Sequence, residues 1–196
     1  MKAIIFDFDG VIADTYDFNM GITKKVGHDV NHEDFKAHHD GNCLEKPKII
    51  FTEKSGADFF EEYFEKITQV ASFFSSEDVQ RLKKLGTLHI ISSTKEASIK
   101  KFLEYNKLNY FDEILGYDFH KSKVEKFKYL LNKYNLKSDE VVFVSDTLGD
   151  ILEADEVNIK TIAVNYGFHD SDRLKKGNPF QIVSNFDELL KVLKNM

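Results

Sequence analysis

Two aspartates one residue apart, Asp7 and Asp9, close the first apolar run of this 196-residue chain, and Gly10 follows them. Alternate residues of a strand face the same side. Where the strand yields to a glycine turn, both carboxylates can look into the crevice beyond the strand end, where open α/β sheets place their ligands. A buried charge without a partner is costly, so two acids on an apolar strand call for a cation or a reactive site. Turn or helix-cap duty is the other reading of the same pair. A second acidic pair, Asp146 and Asp150, follows the run VVFVS at 141–145, its members one helical turn apart. Asp150 also fits the first turn of a helix, where the macrodipole favours an acid. Acids ending two strands of one sheet suit a hard cation bound through oxygen, which points to Mg²⁺. Ser92 and Ser93 close the run LHIISS, where hydroxyls and free backbone N–H groups either cap a helix or hold an anion. Lys121 and Lys123 open the helical pattern KSKVEKFKYLL; positive charge there opposes the helix dipole, and a nearby anion would account for it.

The elements that must position these groups are visible in the hydrophobic pattern. Lys2–Phe8, Leu88–Ser92, Val141–Ser145 and Thr161–Val164 read as buried strands, with Ile114–Leu115 as a short fifth. Near-continuous apolar strands are what a parallel sheet covered on both faces requires. Amphipathic helices lie between them, one carrying Phe127, Leu130 and Tyr134, and a last one carrying Phe186, Leu189 and Leu193 behind the N-cap candidate Asn185. Strand and helix in alternation predict an α/β, doubly wound sheet with right-handed crossovers. Residues 15–80 break the alternation: they offer no strand, and Phe59, Phe60, Tyr63, Phe64 and Ile67 follow a helical period. A helical insertion between the first two strands is the simplest account.

Charge is unevenly placed. Residues 15–80 hold seven lysines, no arginine and thirteen acids, so the whole net charge of −6 falls in that segment. A nucleic-acid partner calls for a basic stripe with arginine, and this chain has only Arg81 and Arg173. No apolar run approaches the roughly 20 residues of a membrane span. The single Cys43 fits a reducing compartment, and MKAIIFDFDG carries aspartates where a signal peptide stays apolar. The expectation is a cytoplasmic protein without nucleic-acid or membrane partners; the sequence leaves its oligomeric state open.

DFDGV at 7–11, the serine ending LHIIS, a lysine opening a helix and SDTLGD at 145–150 resemble, in order, the four motifs of the haloacid dehalogenase (HAD) superfamily. DFDGVIADT resembles its phosphoglycolate phosphatase and β-phosphoglucomutase-like branch, and the resemblance runs from residue 2 to the C-terminus. It implies a Rossmann-like core formed by residues 1–14 and 81–196, with a helical cap of the C1 type at 15–80. It also implies a Mg²⁺-dependent phosphatase that hydrolyses a small phosphorylated metabolite through an aspartyl-phosphate. In that scheme Asp7 is the nucleophile, and Asp9 protonates the leaving oxygen and then deprotonates water. Ser92 and Ser93 bind the phosphoryl group. Lys121 neutralises it, preferred over Lys123 by its spacing to Asp146. Asp7, the Asp9 backbone carbonyl and Asp146 hold Mg²⁺, with Asp150 as ligand or support.

Asp9 argues for phosphoryl chemistry, because similar dehalogenases lack an acid there: halide leaves without a proton. Two departures from the pattern stand out. Ser145 replaces a common glycine, which is expected to matter little, and the lysine motif lacks a Lys-Pro pair. The alternative activity is a β-phosphoglucomutase-like phosphomutase. It must hold a bisphosphate, and the insertion has no arginine to fork a second phosphate, only lysines such as Lys46 and Lys48. The stretch HHDGNCLEKPK at 38–48 reads as the specificity loop, with His38 and His39 as a packed or solvated pair.

Overall fold

A computed structural model describes all 196 residues. The elements run β1 (Ala3–Phe6), α1 (Tyr16–Lys25), α2 (His32–His38), α3 (Glu53–Lys66), α4 (Ser76–Lys83), β2 (Thr87–Ile91), α5 (Glu96–Tyr105), β3 (Glu113–Leu115), α6 (Lys123–Lys133), β4 (Val141–Ser145), α7 (Leu148–Asp155), β5 (Lys160–Val164), α8 (Ser171–Leu174), β6 (Gln181–Val183) and α9 (Phe186–Lys194). The six strands form one parallel sheet in the order β3-β2-β1-β4-β5-β6. The chain winds outward in one direction from β1 and in the other from β4, so the switch point lies between them, and Asp7 and Asp146 follow those two strands. No helix is long and apolar enough to cross a membrane.

Strand alternation divides the core into two layers. Ile4, Phe6, Val142 and Val144 face a large cluster with Leu82 of α4, Phe102 of α5 and Leu189 of α9, while Ala3, Ile5, Val141 and Phe143 face Phe127 of α6 and Ala154 of α7. The expected five strands are present, and β6 is a sixth. It was hidden because only Ile182 and Val183 of its three residues are apolar, and it pairs with β5 at the sheet edge.

Between β1 and β2 the chain forms helices alone, as the sequence pattern requires. The expected boundary at residue 80, however, falls inside α4. Val79 and Leu82 of that helix belong to the same buried cluster as Ile4, Phe6 and Leu88, and the helix lies against β2. The two chain segments that lead into and out of the remaining helices run side by side. Ala13 pairs with Ser72, Asp14 N–H donates to the Ala71 carbonyl at 2.9 Å, and Phe73 N–H donates to the Ile12 carbonyl at 2.9 Å.

Candidate active site

Gly10 makes the turn after β1 possible. Its φ of +71° suits glycine, and a Cβ there would stand 1.9 Å from Asp146 Oδ2. The turn therefore brings the β1 loop directly onto the acid that follows β4. Gly167 closes the other side, where a Cβ would meet the same Oδ2 at 2.3 Å.

Asp7 lies at the centre of a buried polar group. Its Oδ1 accepts from Phe8 N–H at 2.8 Å and its Oδ2 meets Lys123 Nζ at 2.9 Å. The same ammonium donates to Asp150 Oδ2 at 2.6 Å, which also accepts from Ser145 Oγ at 2.5 Å. Lys123 is only 3% exposed. Burial raises the Asp7 pKa well above the carboxylate range, against the pull of Lys123, and the negative Asp150 and Asp146 nearby raise it further. Burial likewise pushes Asp146 up to about 8, although Phe168 N–H donates to its Oδ2 at 2.7 Å. Asp150 goes the other way. Burial opposes its ionisation, yet the Lys123 charge and hydrogen bonds with Asp7, Lys123 and Ser145 hold it below the ordinary value. Burial also works against the Lys123 charge, but Asp150 and Asp7 hold its pKa above the lysine range. Among these carboxylates, Asp146 Oδ1 is buried and has no hydrogen-bond partner. Buried polar atoms are seldom left unpaired, and an unpaired carboxylate oxygen beside two more carboxylates is the donor set a hard divalent cation takes.

Asp9 is held differently. Its Oδ1 accepts from Tyr63 Oη at 2.7 Å and Asn19 Nδ2 at 3.2 Å, and its Oδ2 accepts from Thr94 Oγ1 at 2.6 Å. Those donors come from α3, α1 and the turn after β2. Ser92 Oγ accepts from Thr94 N–H at 3.0 Å, and the Ser92 carbonyl accepts from Lys126 Nζ at 2.5 Å. Lys126 is fully buried beneath this turn, and burial, with Lys123 three residues away, lowers its pKa to about 8.

Asp7, Asp9, Ser92, Ser93 and Lys123 open onto one cavity of about 520 Å³ roofed by α2, α3 and the loop between them. The roof is docked on the sheet domain. Arg173 Nε donates to Asp40 at 2.6 Å and its Nη2 to Glu33 at 2.9 Å, while Asn42 Nδ2 donates to Glu153 Oε1 at 2.9 Å. Glu153 Oε1 in turn accepts from Lys123 N–H at 2.9 Å.

A family model described as haloacid dehalogenase-like hydrolase matches residues 4–164. The chain belongs to this family. It is 28% identical over 211 residues to a Caldanaerobacter subterraneus protein named as the pyrophosphatase PpaX, covering 99% of this chain and 95% of that protein. It is 22% identical over 219 residues to a phosphoglycolate phosphatase of Vibrio parahaemolyticus, covering 98% and 96% of the two chains. A haloacid dehalogenase-like hydrolase of Streptococcus pneumoniae has the same fold, with a TM-score of 0.81 at 18% identity over 98% of each chain.

Within this HAD-like site the sequence-derived residues Asp7, Asp9, Ser92, Ser93, Asp146 and Asp150 converge at one end of the sheet. The two candidate lysines, of which Lys121 was the expected one, are placed differently. Lys123, the first residue of α6, reaches Asp7, whereas Lys121 precedes the helix, is exposed and lines the cavity rim without an ion-pair partner. Burial of α6 against the sheet turns the helix so that its first residue points inward; sequence spacing does not carry that rotation. Ser145 also matters more than expected, because its hydroxyl is a direct partner of Asp150. Asn19, Tyr63 and Thr94 were not foreseen. Tyr63 reads in the sequence as one more apolar stripe residue, and only the fold reveals that its hydroxyl ends on Asp9.

His38 and His39 are a packed pair. His38 Nδ1 accepts from the Lys48 and Ile49 N–H groups, both at 3.2 Å, and His39 Nδ1 lies 2.9 Å from the Phe35 carbonyl. Cys43 Sγ is near enough that it and one nitrogen of each histidine all lie within 4.8 Å of one another. With Nδ1 of His38 an acceptor, its proton sits on Nε2, so that ring has no free lone pair to offer a metal.

Proposed function

We propose that this phosphoric monoester hydrolase acts through an aspartyl-phosphate on Asp7 and requires Mg²⁺. The observation that carries the reading is Lys123 Nζ at 2.9 Å from Asp7 Oδ2, at a cavity floor that also presents Asp9 and Ser92. A carboxylate is repelled by an anionic phosphate monoester, and the ammonium beside it offsets that repulsion. The bond from Asp7 to phosphorus forms as the bond to the ester oxygen breaks, and Asp9 delivers a proton to that oxygen. Asp9 then takes a proton from water as the water attacks phosphorus, releasing inorganic phosphate and restoring Asp7. The hydroxyls of Tyr63 and Thr94 can turn from donors to acceptors and follow the proton on Asp9. Ser92 and Ser93 bind the phosphoryl oxygens.

Asp7, the Asp9 carbonyl and Asp146 are the groups that would hold Mg²⁺, and the orphan Oδ1 of Asp146 supports that assignment. Bound there, the cation would neutralise the carboxylate cluster and the phosphate oxygens. Asp150 acts instead as the counter-ion that orients Lys123.

Residues 15 to about 70 form the lid, a C1-type cap, over a core made of the rest. The mutase alternative is weakened by the cavity lining, which contains no arginine, and by Arg173, which is engaged with Asp40 and Glu33. The first substrates to assay are 2-phosphoglycolate and pyrophosphate, after the names of the relatives. Phosphate release with Mg²⁺ from a panel of phosphorylated metabolites is expected, and Asp7→Asn should abolish it. Release that survives Asp7→Asn refutes the nucleophile, and isomerised sugar phosphate in place of free phosphate makes the protein a mutase.

A further inference from the structure

The part of the cavity beyond the phosphate end has a distinct chemistry. Phe51, Phe59, Phe60 and Tyr117 form a continuous aromatic wall with successive ring centroids 5.5, 5.8 and 5.0 Å apart. Ile49 and Ile50 extend it to the mouth, where Ile50 is left 75% exposed. An apolar side chain bare at the rim of an apolar wall gains from being covered by a ligand of like character.

Charge points the same way. The lining has five carboxylates, Asp7, Asp9, Glu53, Asp150 and Glu153, against three ammonium groups, Lys95, Lys121 and Lys123. Lys123 is committed to Asp7 and Asp150, and Lys95 Nζ lies 4.6 Å from the Phe60 ring centroid. The α2–α3 roof contributes no cation to the lining, and its one ionised group there is Glu53. His38 and His39 add no positive charge at neutral pH, since burial lowers them to about 4 and about 3. A second anionic group on the substrate would find rings and Glu53 on the roof; the uncommitted ammonium is that of Lys121 at the exposed rim, away from the α2–α3 wall.

Resting on the phosphatase reading, we infer that the substrate is a phosphate monoester whose leaving group is uncharged and carries an aromatic or apolar body, which packs against the Phe51–Phe59–Phe60–Tyr117 wall. Size agrees. At roughly 30 Å³ per water-sized group, a cavity of about 520 Å³ takes a ligand of on the order of fifteen non-hydrogen atoms. Phosphate accounts for about a third of these, and the remainder far exceeds a glycolate.

The test compares two esters of primary alcohols, 3-phenylpropyl phosphate and 4-phosphonooxybutanoate, chosen so that leaving-group basicity differs little. kcat/KM is measured for each with Mg²⁺. Kd is measured on Asp7→Asn for the matching phosphonates, so that binding is read even without turnover. The phenyl ligand is expected to be favoured at least tenfold in both. Phe60→Lys should erase or invert that ratio, while Phe64→Ala, on the same helix but outside the cavity, should keep it. Equal values, or a preference for the carboxylate, in the wild type overturn the inference even if Asp7-dependent phosphate release persists. A tenfold Kd preference with no hydrolysis of any ester overturns the phosphatase reading and upholds the binding inference. The wild-type ratio decides the matter should Phe60→Lys fail to fold.

Discussion

Replacing Lys123 by Met tests the centre of the site. The substitution keeps the apolar stem and removes the charge, leaving Asp7 and Asp150 without their shared cation in a buried setting that also contains Asp146. Removing one partner of a buried ion pair costs about 3–5 kcal/mol. Asp7 and Asp146 are already pushed toward their protonated forms and relieve part of the loss, so the expected cost is near the lower end, ~3 kcal/mol. At roughly 2–4 °C per kcal/mol for a chain of this size, the thermal midpoint should fall by about 6–12 °C. Lys121→Met removes an exposed charge and should stay within about 0.5 kcal/mol of wild type. The double variant Lys123→Met/Asp150→Asn should be more stable than the sum of its singles predicts, because the second change removes one of the stranded charges. Urea and thermal unfolding followed by circular dichroism measure the wild type, the three single variants including Asp150→Asn, and the double variant, in EDTA to exclude metal. A Lys123→Met protein within about 1 kcal/mol of wild type, or a Lys121→Met protein equally weakened, would refute the placement of the ammonium between the two acids.

Two further outcomes follow from the same geometry. Tyr63→Phe keeps the ring but removes the 2.7 Å hydrogen bond to Asp9; a bond to a charged group is worth about 1.5–3 kcal/mol, so kcat should drop tenfold or more with KM changed less than about threefold, and an unchanged kcat would dismiss the positioning role. Asp146, raised to about 8 in the fold, favours the metal-free protein below the unfolded carboxylate pKa, and that contribution is lost as pH rises toward 8. Mg²⁺ needs the ionised form, so its stabilising effect should grow from pH 6 to pH 8. At a hundred times its Kd it adds about 2.7 kcal/mol, a shift of roughly 5–10 °C by scanning calorimetry, and a shift independent of pH would contradict the assignment of Asp146.

The residues that ended strands were legible because strand ends announce themselves: an apolar run followed by Asp and Gly, or by Ser-Ser, leaves little freedom in where the polar group lies. Asp7, Asp9, Ser92 and Asp146 all stand at or just beyond such strand ends. What rotates or folds over was not legible. The choice between Lys121 and Lys123 depends on how α6 rolls on the sheet, and both lysines satisfy the sequence pattern. The clamp on Asp9 joins Asn19, Tyr63 and Thr94, residues up to 75 positions apart in the chain. Such contacts leave no periodic trace. The place of α4 was not legible for a related reason: it has a helical pattern like its neighbours, and only the fold shows it against β2.

The crossing of residues 12–14 with 71–73 has a consequence for how such a molecule can change. Because backbone hydrogen bonds pin the two ends of the helical excursion together, the strand order of the sheet does not depend on how long the chain between them is. The closure entropy of such a loop rises only by about 0.6 kcal/mol for each doubling of its length. The excursion can lengthen or shorten at this junction while Asp7 and Lys123 stay where they are, provided that Asn19 and Tyr63, which hold Asp9, are kept. A change confined to the α2–α3 part of this one stretch alters the roof of the cavity without altering the order of the sheet.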